Sequence, residues 1–491
     1  MHSCRLMVAH HTQRLGSARL SGSARLLMRV PAGLLSFVNR AMQPEHKGSL
    51  KSACSRFLTV VAAAMFSIVG ATALHAAESV SASAADRRAQ APAVAVTEDG
   101  TVHAIWFDKG AVGEADRKGA HVGGGRHSHQ AFADLRYARW VAGEAGFSES
   151  IRINPEPGQV WGFSISRPVI AADSEGRIHI VYPGNGTSPK TGKSVASSFY
   201  SRSIDGGQQF EEPIQLNGDP DEDLSALIMG GLAQAQVFTA MAVSKQGAVH
   251  TFWLDTRGMT ESMRAALYYR RSDDGGARFE EEVRLQENDQ CPCCQVSAVT
   301  SGQSSLFVSA RHITGDNVRT PTVMHSSDNG ASFGAPAETG GTPWRLEGCP
   351  LKLTAMTTTP DMIHSLVHNG AEDPPGLLYA HAAQRDMRFF PPQRIHPEAT
   401  VSDSPAMASI GNTLLAAWHA KVDGPRRIFY RFSLDGGETF LPVQALPTGE
   451  ASVGYPALAT TPDGRFVLAW QENEVIQVMH LNAPSQGVAL R

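Results

Sequence analysis

The stretch Ser203-Ile204-Asp205-Gly206-Gly207-Gln208-Gln209-Phe210 has a spacing that recurs along the chain. The same Ser-x-Asp-x-Gly-x-x-Phe pattern occupies residues 272–279, 326–333 and 433–440, and a degraded copy lies at residues 382–389. An aspartate that accepts backbone N–H groups, followed by a glycine, is typical of a tight turn. We therefore interpret the repeated aspartates as structural rather than catalytic. They are Asp205, Asp274, Asp328 and Asp435.

Short apolar strands with period-two alternation lie between these turns. Val169–Tyr182 turns at residues 174–176, and Ala457–Trp470 turns at residues 462–464, as hairpins require. A third strand leads into each repeated turn and a fourth follows it. Such units start near residues 92, 168, 239, 297, 352, 406 and 455.

The repeat predicts an all-β fold, a β-propeller with four antiparallel strands in each blade. Seven blades are favoured, and six are the alternative. The last unit stops after a third strand, and a segment near Ser79–Ser83 would complete it. The two ends of the domain are then expected to close the ring together.

The repeated turn is the Asp-box, or BNR repeat, and the chain resembles the sialidase (neuraminidase) superfamily over most of residues 90–482. Gly454-Tyr455-Pro456-Ala457-Leu458, followed by Asp463-Gly464-Arg465 and Glu472, is similar to the end of a sialidase domain. The resemblance implies Tyr455 as the nucleophile and Glu472 as its partner, since a tyrosine does not repel an anionic sugar as a carboxylate would.

The other sialidase motifs have only approximate counterparts. Ile165-Ser166-Arg167-Pro168-Val169 is the nearest approach to the opening Phe/Tyr-Arg-Ile-Pro motif, and no Asp in 183–200 corresponds to the acid/base. Sialidases hold the substrate carboxylate with three arginines, whose planar fork donates two parallel bonds. The resemblance implies that role for Arg167, Arg257 and Arg311.

Propeller geometry brings the starts of first strands and the ends of second strands to one face, near the ring axis. Asp403 starts a first strand and is a further candidate substrate-binding residue on this pore face. The predicted partner at this face is a carbohydrate or a protein.

Four cysteines are expected to meet at the same face. Cys291, Cys293 and Cys294 form a Cys-Pro-Cys-Cys segment, and Cys349 starts the next unit. One interpretation is a disulfide staple, in which Cys349 pairs with one of the other three. The alternative is a site for a soft metal such as copper or zinc, with His312 as a further ligand. No other cofactor is predicted.

A glycine-rich insertion follows the second strand of the first unit. Gly123-Gly124-Gly125-Arg126-His127-Ser128-His129 is interpreted as a flexible lid over the pocket. A metal clamp made by the two histidines is the alternative.

Residues 1–77 have the composition of a targeting segment, and residues 78–491 form the propeller domain. Lys47, Lys51 and Arg56 precede an apolar run from Phe57 to about Ala73, and small residues follow up to Ala77. This order is typical of a secretory signal, with an uncleaved membrane anchor as the weaker reading. Residues 1–41 are interpreted as an overlong start before Met42, or else as a transit peptide.

Charge and targeting together exclude some functions. The chain has 43 Lys plus Arg against 47 Asp plus Glu, and Glu45 is the one acidic residue before residue 78. An acidic propeller domain does not suit nucleic acid. The prediction is a periplasmic or secreted protein with no stable membrane span after cleavage.

Three functions stay open, and with them the question of whether the protein is an enzyme. The first is an exported sialidase-like propeller that engages glycans, extending to a divergent exo-sialidase or other glycoside hydrolase. The second is a non-catalytic propeller that binds a protein or a glycan. The third is a soft-metal or redox protein that uses the cysteine cluster.

Overall fold

The computed structural model describes residues 79–114, 132–187, 192, 194–218, 236–257, 264–399, 401–448 and 451–485. They belong to one compact unit, Ala77–Arg491. Strands, turns and bends make up this part of the chain, with no helix, and hence no helix that could cross a bilayer. The predicted targeting segment and the insertion with His127 and His129 lie outside the described residues.

The described residues form 29 strands. The first fourteen are β1 (Val80–Ser81), β2 (Arg87–Val96), β3 (Val102–Ala111), β4 (Phe132–Trp140), β5 (Ile151–Arg152), β6 (Val160–Trp161), β7 (Val169–Ala172), β8 (Ile178–Thr187), β9 (Ser194–Ser203), β10 (Ile214–Gln215), β11 (Gln236–Val243), β12 (Val249–Asp255), β13 (Ala265–Ser272) and β14 (Val283–Gln290). The others are β15 (Ser297–Ser301), β16 (Ser305–Thr314), β17 (Val318–Ser326), β18 (Ala337–Glu338), β19 (Thr354–Thr358), β20 (Met362–Asn369), β21 (Gly376–Ala383), β22 (Gln393–Arg394), β23 (Val401–Ile410), β24 (Thr413–Lys421), β25 (Arg426–Ser433), β26 (Gln444–Ala445), β27 (Val453–Thr460), β28 (Phe466–Glu472) and β29 (Val475–Leu481).

Antiparallel pairing groups the described strands into consecutive four-stranded sets, except for β6, which pairs with β4 and β8. Six sets follow the chain: β2 to β5, β7 to β10, β11 to β14, β15 to β18, β19 to β22 and β23 to β26. The last set combines β27, β28 and β29 with β1, and Val80 lies opposite Val478. The segment near 79–83 thus supplies the outer strand of the final sheet, as the sequence predicted.

The first strands of these sets contact one another in a closed ring, from β2 through β7, β11, β15, β19, β23 and β27 back to β2. All of these strands contribute residues to one central cavity of about 210 Å³. Trp106, Trp253 and Trp418, from second strands, are buried between neighbouring sets. The predicted all-β, propeller-type fold of four-stranded antiparallel sheets is confirmed.

Several first strands carry a bulge where they begin. The register shifts in β2, β11, β23 and β27, and a non-glycine residue with positive φ lies at each shift. These residues are Ala91, Phe238, Ser404 and Tyr455, with φ from 52° to 60°. Bulges redirect side chains and are common beside binding sites. The ring of first strands encloses a central channel, and the four bulges lie together at one of its ends. We call this end the channel mouth.

The Asp-box turns are closed by their own side chains. Ser203 Oγ donates to Asp205 Oδ1 at 2.7 Å, and that oxygen accepts the N–H groups of Gln208 and Gln209 at 2.9 and 3.0 Å. The N–H of Gly207 donates to Ser203 Oγ at 2.8 Å. Matching bonds recur in the boxes of Asp274, Asp328 and Asp435.

A histidine–tyrosine pair from the preceding set packs beneath each of the four boxes. Tyr200 Oη is 2.7 Å from His179 Nδ1, and the ring of Phe279 meets the ring of Tyr200 edge-on at 4.9 Å. The other three pairs are His103–Tyr137, His250–Tyr269 and His364–Tyr379. Each of these four His–Tyr pairs couples its set to the next one, a contact that the sequence analysis missed.

Candidate functional site

Arg167, just before β7, lines the central cavity. Gln295 holds its backbone: Oε1 accepts the Arg167 N–H at 2.9 Å, and Nε2 donates to the Arg167 carbonyl at 3.1 Å. Nη1 donates to the carbonyl of Pro456 at 3.1 Å. The residue is only 9% exposed, yet Nε and Nη2 have no hydrogen-bond partner among the described residues. Burial lowers the pKa of Arg167 to about 10, so the guanidinium stays charged at neutral pH.

Tyr455 lies beside Arg167 at the bulge of β27. The guanidinium carbons of Arg167 and Arg426 are 5.2 and 5.9 Å from its ring centroid. Its hydroxyl accepts a hydrogen bond from Ser164 Oγ at 3.0 Å, and its N–H donates weakly to His419 Nδ1 at 3.4 Å. The ring therefore contributes cation–π contacts, which stabilise two nearby positive charges.

Glu472 is held by a different group. Its Oε2 accepts the indole N–H of Trp470 at 2.9 Å. In the described part of the chain no hydrogen bond or ion pair joins Glu472 to Tyr455. The structure thus places both predicted catalytic residues at the same end of one sheet but does not connect them.

Arg257 is already engaged with two carboxylates. Its Nη2 is 2.7 Å from Asp255 Oδ2, and its Nη1 is 2.5 Å from Glu282 Oε1. Its guanidinium carbon stacks 4.3 Å from the ring centroid of Tyr268. Burial disfavours the charge, but Glu282 and Asp255 outweigh burial and raise the pKa of Arg257. The structure does not place this predicted carboxylate ligand beside Arg167.

The carboxylate of Asp403 is engaged in an ion pair and is not an open acceptor. Its Oδ2 lies 2.5 Å from Lys352 Nζ, with side chains 20% and 19% exposed. Burial opposes ionisation, but the charge of Lys352 outweighs it and the pKa of Asp403 is lowered. His368 and His419 lie nearby, and burial lowers their pKa values to about 4 and 3. Both rings are therefore neutral at neutral pH.

Arg311, in β16, is a second buried cation at the mouth. Its Nη2 donates to the carbonyl of His368 at 3.0 Å, and its guanidinium carbon lies 5.6 Å from the ring centroid of Trp344. Nε and Nη1 find no partner in the described ranges. Its positive charge lowers the pKa of the Cys294 thiol.

The Cys-Pro-Cys-Cys segment gathers its sulfur atoms tightly. The Sγ atoms of Cys291, Cys293 and Cys294 all lie within 4.8 Å of one another, and the residues are at most 4% exposed. The distance from Cys291 Sγ is 3.7 Å to Cys293 Sγ and 3.2 Å to Cys294 Sγ. Cys349 hydrogen-bonds to Cys293, so the four cysteines meet as predicted. The described residues contain these cysteines as thiols, without a disulfide.

Within the Cys-Pro-Cys-Cys segment, Cys294 is the cysteine whose pKa is lowered. Burial raises its pKa, but hydrogen bonds with Cys291 and Cys293 and the charge of Arg311 hold the pKa of Cys294 well below its usual value. His312 stands apart from the sulfur group, with its Nδ1 4.0 Å from Asp289 Oδ2. Its role as an additional metal ligand stays a prediction.

The fold and the mouth together define a class of protein: an Asp-box propeller with buried cations and thiols at one end of its channel. A sequence model described as a BNR repeat-like domain matches residues 161–468, and the chain belongs to this family. The predicted relationship to the sialidase and BNR-repeat superfamily is thereby confirmed. No curated protein matches the chain.

Solved structures resemble the chain in fold. The BP39L lectin from Burkholderia pseudomallei is 12% identical, with a TM-score of 0.50 over 81% of this chain and 99% of that one. A protein of unknown function from Dyadobacter fermentans is 16% identical, with a TM-score of 0.45 over 72% and 96%. The Hadza microbial sialidase Hz136 is 15% identical, with a TM-score of 0.44 over 82% and 95%. At these identities the likeness concerns the fold alone.

Proposed function

We propose that the protein binds an acidic glycan at the channel mouth and does not hydrolyse it. The observation that supports this proposal is Arg167, a cavity-lining guanidinium whose Nε and Nη2 lack partners among the described residues. A buried donor without a partner costs about 1–3 kcal/mol, and more when it is charged. A ligand that satisfies both groups removes this cost.

A carboxylate fits the two open donors best. The N–H groups at Nε and Nη2 of one guanidinium point in parallel, so they can donate to the two oxygens of a carboxylate. Arg311 offers two further unpartnered donors at the same mouth. The anionic character of the ligand therefore follows from the two guanidinium groups, while its being a sugar rests on the superfamily relationship.

Binding without hydrolysis is favoured by the surroundings of Tyr455. The described partner of its hydroxyl is Ser164, which donates to it, and Glu472 is held by Trp470. A tyrosine nucleophile needs a neighbouring base to take its proton. The carboxylate of Asp403 is held by Lys352 instead.

Arg167→Gln is expected to weaken binding of an acidic glycan while leaving the fold intact. Calorimetric titration with sialyllactose and with lactose would compare an acidic with a neutral ligand. Loss of charged hydrogen bonds predicts binding about 10- to 100-fold weaker in the variant. Arg465→Gln, which removes a cation from a remote turn, serves as the control and should bind as the unmodified protein does.

Two results would refute this function. Equal affinity for lactose and sialyllactose, or an unchanged affinity in Arg167→Gln, would exclude recognition of the acidic group. Release of free sialic acid by the unmodified protein would show hydrolysis instead, and its loss in Tyr455→Phe would assign the nucleophile.

We also propose that the protein acts in the periplasm or outside the cell. The proposal rests on the basic and apolar order of residues 47–77. Expression of the full chain should yield a mature N-terminus at about residue 78, which intact-mass measurement of the exported fraction would detect. A protein that keeps residues 57–73 in the cell fraction would contradict it.

A further inference from the structure

The three sulfur atoms at the mouth are spaced like ligands of one metal ion. Metal–sulfur bonds of about 2.3 Å place tetrahedral ligands about 3.8 Å apart. The separations from Cys291 Sγ, 3.2 Å to Cys294 and 3.7 Å to Cys293, approach this value, and all three pairs fall within 4.8 Å.

We propose that Cys291, Cys293 and Cys294 bind one thiophilic metal ion, Cu(I) or Zn(II), at the channel mouth. Sulfur donors alone select soft ions over Mg²⁺, Ca²⁺ or Mn²⁺, which prefer oxygen. Three ligands complete a trigonal Cu(I) site, while Zn(II) takes Cys349 as its fourth ligand because Cys349 contacts Cys293. Each thiol that binds releases its proton to solvent, so binding strengthens as the pH rises.

The backbone around the sulfurs is held in place before any ion arrives. The N–H of Cys291 donates to the carbonyl of Arg311 at 2.7 Å, which fixes the start of the segment to the next set. Gln295, directly after Cys294, is anchored by hydrogen bonds to Arg167 and Thr239. A segment fixed at both ends positions the sulfurs with little loss of conformational freedom on binding.

The surroundings also suit a negatively charged metal–thiolate centre. The positive charge of Arg311 favours a thiolate at Cys294, and the backbone N–H of Lys352 donates a hydrogen bond to the Cys294 sulfur. The apolar residues Val237, Phe238 and Val296 pack around the cysteines and limit access of water. Hydrogen bonds to sulfur and a dry shell are the outer interactions that stabilise thiolate sites.

The competing structure is a pair of disulfides. Cys291 could join Cys294, and Cys293 could join Cys349, each with loss of two electrons to an oxidant. Such bonds would shorten the sulfur separation to about 2.05 Å and leave no thiolate for a metal. The two structures therefore differ in thiol content as well as in metal content.

The test is an anaerobic titration of the reduced protein with Cu(I), in competition with a chromophoric chelator, and separately with Zn(II). One equivalent of ion should bind and protect the cysteines from alkylation, as mapped on peptides. Cu(I) should protect the three clustered cysteines, and Zn(II) should protect Cys349 as well. Cys294→Ser should weaken binding about 100-fold or more, since it removes a direct ligand.

Two further variants keep the result interpretable. Cys349→Ser, at a partly exposed position, should abolish Zn(II) binding and spare Cu(I) binding. Ser309→Ala removes a buried hydroxyl from the same sheet and should change neither, provided that its urea midpoint matches the unmodified protein. Absence of stoichiometric binding, equal affinity in Cys294→Ser, or disulfides in the exported protein as isolated would each overturn the proposal.

Discussion

Gly276→Ala is expected to destabilise the protein by about 3 kcal/mol or more, because the new methyl group would overlap a neighbouring buried ring. A Cβ at Gly276 would lie 1.7 Å from Tyr200 Oη and 2.5 Å from its Cζ. Tyr200 is 2% exposed and is held at 2.7 Å by His179, so it cannot move aside without breaking this contact. The positive φ of Gly276, 81°, adds backbone strain for alanine.

The variant Gly464→Ala separates the free-energy cost of the steric overlap from the cost of the strained backbone. Gly464 has a similar φ of 85°, in a turn where no other atom lies within 4 Å of the added Cβ. The control should lose only about 1–2 kcal/mol, the cost of the left-handed backbone. Urea denaturation of both variants gives the comparison, and equal midpoints would show that the Asp-box glycine does not need to be small.

The fold could be predicted from the repeat because the sequence signals for turns and hairpins each depend on only a few neighbouring residues. The Asp-box fixes a turn through bonds within eight residues, and period-two alternation fixes the hairpins beside it. The pairing of β1 with β29 also followed, since a final unit with three strands leaves an edge to cover. The His–Tyr pairs had a signal too, a histidine as the second residue of β3, β8 and β12, as in Val102-His103, and as the third residue of β20. Its partner lies on another strand, so the pairing becomes visible only in the folded chain.

The site was less predictable because it depends on which charges find partners. Sequence position brought Arg167, Arg257 and Arg311 to strand ends alike. The three arginines differ in their partners in the folded chain. Asp255 and Glu282 form ion pairs with Arg257, whereas Arg167 and Arg311 keep nitrogen atoms without a hydrogen-bond partner among the described residues. The cysteines were easier, since adjacent units must place their first-strand starts side by side.

Acidification between pH 6.5 and 4 is expected to destabilise the protein through its His–Tyr pairs. Burial lowers the pKa values of His103 and His250 to about 4 and that of His364 to about 3, against 6.5 for the unfolded chain. The unfolded chain therefore binds these protons first as the pH falls. Stability is fully present above pH 6.5 and declines towards pH 4, by about 1.4 kcal/mol per pH unit for each histidine.

The urea midpoint measured from pH 7.5 to pH 4.5 should fall steeply below pH 6.5. His364→Gln, which cannot titrate, should lower stability at pH 7.5 but make the decline shallower, because one proton fewer is taken up on unfolding. His179→Gln is the matched control: its ring makes the same bond to a tyrosine but faces the carboxylate of Asp173 at 3.1 Å. This variant removes a ring–tyrosine contact of the same kind, so it measures how much stability at pH 7.5 comes from the contact itself. An unchanged midpoint down to pH 4.5 would mean that the buried rings accept protons without breaking the contact between sets.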